Sequence, residues 1–158
     1  MIFVLCDKIN SGKSSFISSL AQRLIDEGRD VGGVFTPAHI EGKQKCGHDL
    51  CTISNGTISP PIEFTRERNF ENSFQFGRYH FSSKAFDVAN VLDANCDIFI
   101  IDEIGPLETV HRQGFFDLLI RAHKSADKLL IVMREDLALP DAISIPAISF
   151  KLGDDIPL

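Results

Sequence analysis

The chain has 158 residues, a formal net charge of −6 and 44% hydrophobic content, which suits one globular domain with a single substantial core. The acidic balance argues against a broad nucleic-acid-binding face, which needs a basic patch. No apolar run reaches the ~18 residues of a membrane span.

The run Met1 to Leu5 is too short for a signal-peptide core, and the four cysteines are too few for a disulfide scaffold. Reduced thiols and a cytoplasmic setting are the expectation. Ile2 to Cys6 is continuously apolar, the pattern of a parallel strand covered on both faces. Phe16, Ile17, Leu20, Leu24 and Ile25 then recur at three- and four-residue steps, predicting a helix from about Lys13 to Glu27 with Gly28 as its stop. Val31 to Phe35 is a short strand closed by Thr36-Pro37, and Ala38 to Gly47 reads as a loop or hairpin. Leu50 to Ile53 and Ile58 to Phe64 are strands around an Asn55-Gly56 turn, with Pro60-Pro61 keeping the second from a central place. Arg66 to Gln75 is polar and irregular, and Phe76 to Phe81 is a further strand. Ser82-Ser83 can cap a helix from about Lys84 to Ala94. Asp97 to Ile101 is a strand, Gln113 to Ser125 a helix, Leu129 to Met133 a buried strand and Ile145 to Phe150 the last one. No repeat or linker divides the chain, so residues 1–158 are expected to form a single domain. Strands alternating with helices imply a parallel sheet with right-handed crossovers, and the stretch from Gly33 to Phe81 is a β-rich insertion within it.

Two strand ends carry chemistry. After the first comes Asp7-Lys8-Ile9-Asn10-Ser11-Gly12-Lys13-Ser14-Ser15, leading into the first helix. A phosphate-binding loop needs small residues so that backbone N–H groups can approach anionic oxygens, and a helix dipole beneath them. In the pattern G-x-x-x-x-G-K-[ST] the lysine reaches the β- and γ-phosphates and the hydroxyl binds magnesium. Lys13 and Ser14 stand in those places, and Asp7 stands where the first glycine belongs. If that position needs a positive φ, aspartate there costs about 1–2 kcal/mol. Its carboxylate also lies near the triphosphate unless it points away. At the second strand end, Ile98 to Ile101 runs into Asp102-Glu103. The carboxyl ends of parallel strands converge on the ligand crevice of an open α/β sheet. Asp102 there can bind Mg2+ or its water, and Glu103 can polarise the attacking water as general base. The two motifs together point to hydrolysis of a nucleoside triphosphate such as ATP or GTP.

Other residues invite roles. Cys46, His48 and Cys51 form C-x-H-x-x-C, a possible metal set whose bland alternative is a loop with reduced thiols. Lys8, Arg66, Arg68 and Arg78 are candidate phosphate cations or solvated side chains. Thirteen phenylalanines speak for core packing, with Phe74 and Phe76 as candidates to stack on a base instead.

Four blocks resemble the cancer-related nucleoside-triphosphatase family of small P-loop NTPases. They are the first strand with Gly12-Lys13-Ser14-Ser15; Gly33-Val34-Phe35-Thr36-Pro37 with Gly47-His48-Asp49-Leu50; Gly77-Arg78-Tyr79-His80-Phe81 with Ala85-Phe86; and Ile100-Ile101-Asp102-Glu103-Ile104-Gly105-Pro106-Leu107-Glu108. The resemblance implies an α/β, RecA-like three-layer fold with a mainly parallel sheet, and Mg2+-dependent hydrolysis of several nucleoside triphosphates. It assigns Lys13 to phosphate, Ser14 and Asp102 to magnesium and Glu103 to the base. It also marks Arg66, in Phe64-Thr65-Arg66, as a family arginine for charge stabilisation on the transferring phosphoryl group. The chain departs from the family in its loop residues Asp7 to Ser11, in Arg134-Glu135-Asp136 and in Gly153-Asp154. A small-molecule kinase and a degenerate nucleotide-binding module, the latter supported by Asp7, are the alternatives. The preferred base and the oligomeric state are not legible.

Overall fold

The computed structural model describes residues 1–8, 11–143 and 146–158. In chain order the first half holds β1 (Ile2–Asp7), α1 (Lys13–Asp26), β2 (Val31–Phe35), β3 (Ala38–Glu41), β4 (Gln44–Ser54), β5 (Thr57–Ile58), β6 (Ile62–Arg66), β7 (Ser73–Phe76) and β8 (Tyr79–Ser82). Then come α2 (Ser83–Asn90), β9 (Ile98–Ile104), α3 (Pro106–Thr109), α4 (Phe116–Ser125), β10 (Lys128–Arg134) and β11 (Ala147–Phe150).

One sheet runs in the order β11-β1-β10-β9-β2-β4-β6-β8-β7, with β3 and β5 paired to β4 off that path. Five of its strands, β11 at one edge and then β1, β10, β9 and β2, are mutually parallel. The middles of β1, β10 and β9 are apolar and buried because helices cover both faces. Side chains alternate along each strand. Phe3 and Leu5 face α1, meeting Ile17, Leu20 and Leu24, while Ile2 and Val4 face the opposite layer with Phe86, Leu107, Phe115 and Leu119. The expected three-layer α/β architecture follows. The β-rich middle joins as an antiparallel extension, with Phe35 of β2 opposite Cys51 of β4, and β6, β8 and β7 continuing outward.

The boundaries of β1, α1, β2 and β10 match the sequence reading. By contrast, Leu50 to Ile53 is part of the longer β4, Ile58 to Phe64 is split by Pro60-Pro61 into β5 and β6, and the stretch read as irregular ends in β7. Helix α1 stops as predicted: Gly28 N–H bonds Ile25 C=O at 2.9 Å and Arg29 N–H bonds Leu24 C=O at 3.0 Å, the Schellman pattern. Ala38 to Gly47 resolves into the β3–β4 hairpin. Phe76 to Phe81 is not one strand: the chain turns at Gly77-Arg78 and pairs Phe76 with Tyr79. The Ser82 hydroxyl caps α2 through Ala85 N–H at 3.0 Å, but the helix ends at Asn90 rather than Ala94, leaving Val91 82% exposed. The helix expected from Gln113 begins at Phe116, because Gly114 takes a left-handed φ of 64°. Ile145 of the last predicted strand lies outside the described residues. Phe64 packs against Phe81, Phe86 and Phe115, Phe74 stacks on Phe81 and Phe86, and Phe76 packs on Phe81 and His111. Core packing thus accounts for the two rings that could have stacked on a base. Among the described residues no helix is long and apolar enough to cross a membrane.

Candidate active site

The site lies at the carboxyl ends of β1, β9 and β2. From β1 the chain enters the loop and then α1, whose N-cap is Gly12. Gly12 has φ 90°, and a Cβ there would meet nothing within 4 Å, so backbone conformation rather than space selects glycine. Among the described loop residues, this is the position that takes a positive φ. Asp7 does not: the non-glycine residues with positive φ, among those described, are Asn55, Asn72, Glu103 and Arg112. The Asp7 carboxylate accepts from Lys8 N–H at 2.7 Å and from Leu152 N–H of the C-terminal tail at 3.2 Å. Those two bonds hold its pKa below the ordinary value. The carboxylate is therefore tied to the strand end and the tail.

Lys13 is buried. Its Nζ donates to the carbonyls of Lys8 at 2.5 Å and Asp7 at 3.3 Å and to Ser11 Oγ at 3.2 Å, which sets the ammonium inside the curl of the loop. Lys8, Ser11, Gly12 and Ser15 are exposed. Ile9 and Asn10 lie outside the described residues.

Ser14, the second residue of α1, donates from Oγ to Asp102 Oδ2 at 2.9 Å across 88 positions of sequence. Thr36 N–H and Oγ1–H reach the same oxygen at 3.1 Å each, and Glu103 N–H donates to Oδ1 at 2.9 Å. Asp102 is 1% exposed; burial pushes its pKa up, and these four donors act against that shift. Ser14 Oγ, Asp102 Oδ2 and Thr36 Oγ1 form an all-oxygen cluster of hard donors, the ligand class that suits Mg2+.

Glu103 owes its direction to a bulge. Ile101 pairs with Ile131 and Ile104 with Met133, so Asp102 and Glu103 together face the single residue Val132. Glu103 takes φ 64°, a costly conformation for a residue with a Cβ and a mark of functional strain. Its carboxyl is pushed up to about 7, first by the protein surrounding it and then by the Asp102 charge. With 45% of the side chain open to solvent, screening tempers that shift. A carboxyl raised toward neutrality suits a general base.

The antiparallel strands supply the facing wall. His48 Nε2 of β4 lies 3.9 Å from Glu103 Oε1, beyond hydrogen-bond range, while Nδ1 lies 3.3 Å from Thr65 Oγ1. Burial lowers the His48 pKa to about 4, so the ring is neutral near pH 7. Arg66 is locked: Nη2 pairs with Asp49 Oδ1 at 2.7 Å and Nη1 bonds the carbonyls of His48 and Thr65 at 2.8 Å each. Its donors thus hold the wall together.

Sequence reasoning missed Thr36, His48 and Asp49 as site residues. All three stand in the blocks Gly33–Pro37 and Gly47–Leu50 that carried the family resemblance, and that was the available signal. The set Cys46, His48 and Cys51 does not converge: Cys51 is buried in the α1-side core and His48 faces Glu103.

A family model described as NTPase matches residues 2–146. The nucleoside-triphosphatase THEP1 of Methanopyrus kandleri is 24% identical over 146 residues, 90% of this chain and 78% of that protein. The THEP1 of Korarchaeum cryptofilum is 30% identical over 112 residues, 70% of this chain and 57% of that protein. That of Caldivirga maquilingensis is 28% identical over 101 residues, 63% and 56% respectively. The chain thus spans little more than half the length of the latter two relatives. The solution structure of a human cancer-related nucleoside triphosphatase matches with a TM-score of 0.67 at 20% identity, covering 94% of this chain and 87% of that one. That likeness shows the P-loop NTPase-like fold.

Proposed function

The chain belongs to the NTPase family, and from that premise we propose that it hydrolyses nucleoside triphosphates to diphosphate and phosphate. On this reading the reaction is Mg2+-dependent, broad in base preference and cytoplasmic, and residues 1–158 act as one domain. The observation that carries the reading is the 2.9 Å bond from Ser14 to Asp102, which joins the phosphate loop to the acidic strand end across 88 positions.

The backbone N–H groups from Asn10 to Ser14, together with the α1 dipole, bind the phosphates. Lys13 exchanges loop carbonyls for phosphate oxygens and offsets the charge gathering on the transferring group. Ser14 and Asp102 would hold Mg2+, which supplies charge neutralisation between the β- and γ-phosphates. Glu103 accepts the proton of the attacking water. Arg66 enters as the cation for the transferring phosphoryl group, a role that requires its pair with Asp49 to open.

A degenerate binding module would draw on Asp7, but the Asp7 carboxylate is engaged by Lys8 and Leu152. Phosphate release from ATP, GTP, CTP and UTP, with and without Mg2+, tests the reading. Mg2+-dependent release that is lost in Asp102→Asn supports it. Release that ignores both Mg2+ and the substitution contradicts it.

A further inference from the structure

The β3–β4 hairpin gathers a second set of ligand-type side chains, made of softer donors than the oxygen cluster around Asp102. We propose that His39, Glu41 and Cys46 form a binding site for a Zn2+-class divalent cation.

A ring nitrogen of His39, a Glu41 carboxylate oxygen and Cys46 Sγ all lie within 4.8 Å of one another. The Nε2-to-Oε1 separation is 3.4 Å. Tetrahedral zinc with bonds of 2.0–2.3 Å sets its ligands about 3.3–3.8 Å apart. One edge of the tetrahedron is therefore in place, and the sulfur, whose thiol donates to the His39 carbonyl at 3.6 Å, stands beside it.

The local sequence explains the grouping. His39 and Glu41 are two apart on β3 and share a face. The β3–β4 register slips between His39 and Ile40: His39 pairs with Gly47 and Ile40 with Lys45, so Cys46 is the extra residue of a bulge. Bulges re-aim a side chain.

The surroundings of His39 point to a cation. Asp49 Oδ2 lies 3.2 Å from His39 Nδ1, while Asp49 Oδ1 is anchored by the buried Arg66 at 2.7 Å. A carboxylate on one ring nitrogen is the usual support of a metal-ligating histidine: it fixes the tautomer and leaves Nε2 to bind. The other ring nitrogen, Nε2, lies 3.4 Å from a Glu41 oxygen. Two carboxylates thus flank one imidazole, an arrangement that favours a cation beside the ring. Arg68 donates to the same Glu41 oxygen at 3.2 Å and would remain as its outer partner. Imidazole with thiolate selects zinc-like ions over Mg2+, and a hairpin at the surface leaves a fourth position to water. On binding, the Cys46 thiol gives its proton to solvent as the metal–sulfur bond forms, together with any second proton on His39.

The test is titration of the full chain with Zn2+ and with Co2+ in saturating Mg2+, which keeps the oxygen site engaged. The proposal expects one equivalent bound, a sulfur-to-cobalt charge-transfer band, and a rise in Tm with Zn2+. Cys46→Ser should abolish the band, and His39→Gln and Glu41→Gln should each weaken Zn2+ binding by at least about tenfold. Cys51→Ser, at a core cysteine, should keep the band. Absence of the band in the parent chain, or its survival in Cys46→Ser, overturns the proposal. So does Zn2+ affinity unchanged in both folded glutamine variants.

Discussion

The loop from β1 into α1 and the wall built from β4, β6 and the bulge of β9 meet at Asp102, yet they hold their residues differently. The loop is mostly local: Asp7, Lys8, Ser11 and Lys13 bond one another within a few positions and one left-handed glycine starts the helix, with the Leu152 N–H on Asp7 as a distant tie. The wall is long-range: Glu103 depends on a bulge and a strained φ, and Arg66 depends on Asp49 of the neighbouring strand. Anion binding can therefore be built from a short segment of backbone. Placing a base needs the correct pairing of distant strands.

If this division holds, the two regions fail in different ways. The largest effect is expected at Lys13→Ala, which should lower turnover by about 10²–10³-fold and weaken nucleotide binding while leaving thermal stability near that of the parent. Near-normal turnover in steady-state assays would remove the loop from the chemistry. Next comes Asp49→Ala, which leaves the buried Arg66 guanidinium relying on the more exposed Glu63 carboxylate, 3.5 Å from Nε. Urea unfolding should report about 1–3 kcal/mol of lost stability, the cost of leaving a buried donor unsatisfied. A change within experimental scatter would show that the wall does not rest on this pair.

The wall and the short helix α3 that follows β9 each bury a titratable group, and the two have opposite pH signatures. Glu108, whose Oε2 accepts from Gly105 N–H and Oε1 from Phe115 N–H at 3.0 Å each, is pushed by burial from 4.5 up to about 7. The folded state then binds the extra proton, so stability from Glu108 is complete below pH 4.5 and is lost as pH rises to 7. His48 is lowered from 6.5 to about 4, so its stability is complete above pH 6.5 and is lost as pH falls toward 4. Each contribution is on the order of 3 kcal/mol, and the two slopes oppose each other between pH 4.5 and 6.5. Unfolding free energies across that range should rise with pH in Glu108→Gln and fall in His48→Gln, relative to the parent. Parallel profiles for all three would contradict both assignments. The smallest effect on stability is expected at Glu103→Gly, which relieves the left-handed strain and should stabilise the fold by about 1 kcal/mol. Loss of stability there would mean that the bulge is not strained.

The legibility of the chain follows the same division. β1, α1 and β2 were readable almost to the residue, because continuous apolar runs and a 3.6-residue period are local signals. The meeting of Ser14 with Asp102 is legible because spacing places both at strand ends. The Phe76 to Phe81 run hid its turn, since Gly77-Arg78 sits among residues that all favour strands. The β9 bulge left no mark in a segment that reads as uniformly apolar up to Asp102. His48, Thr36 and Asp49 became site residues only through pairings such as Phe35 with Cys51 and His48 with Thr65, and no local pattern encodes those. The expected concern over Asp7 dissolved for a similar reason: its partner Leu152 lies 145 positions away.

The most direct test of the account is to measure nucleotide binding and single-turnover phosphate release on the same preparation of Glu103→Gln in Mg2+. The account predicts affinity close to that of the parent and release slowed by about 10²–10⁴-fold. Release at the parental rate, with nucleotide bound, would show that Glu103 is not the base and that the strained end of β9 serves another purpose.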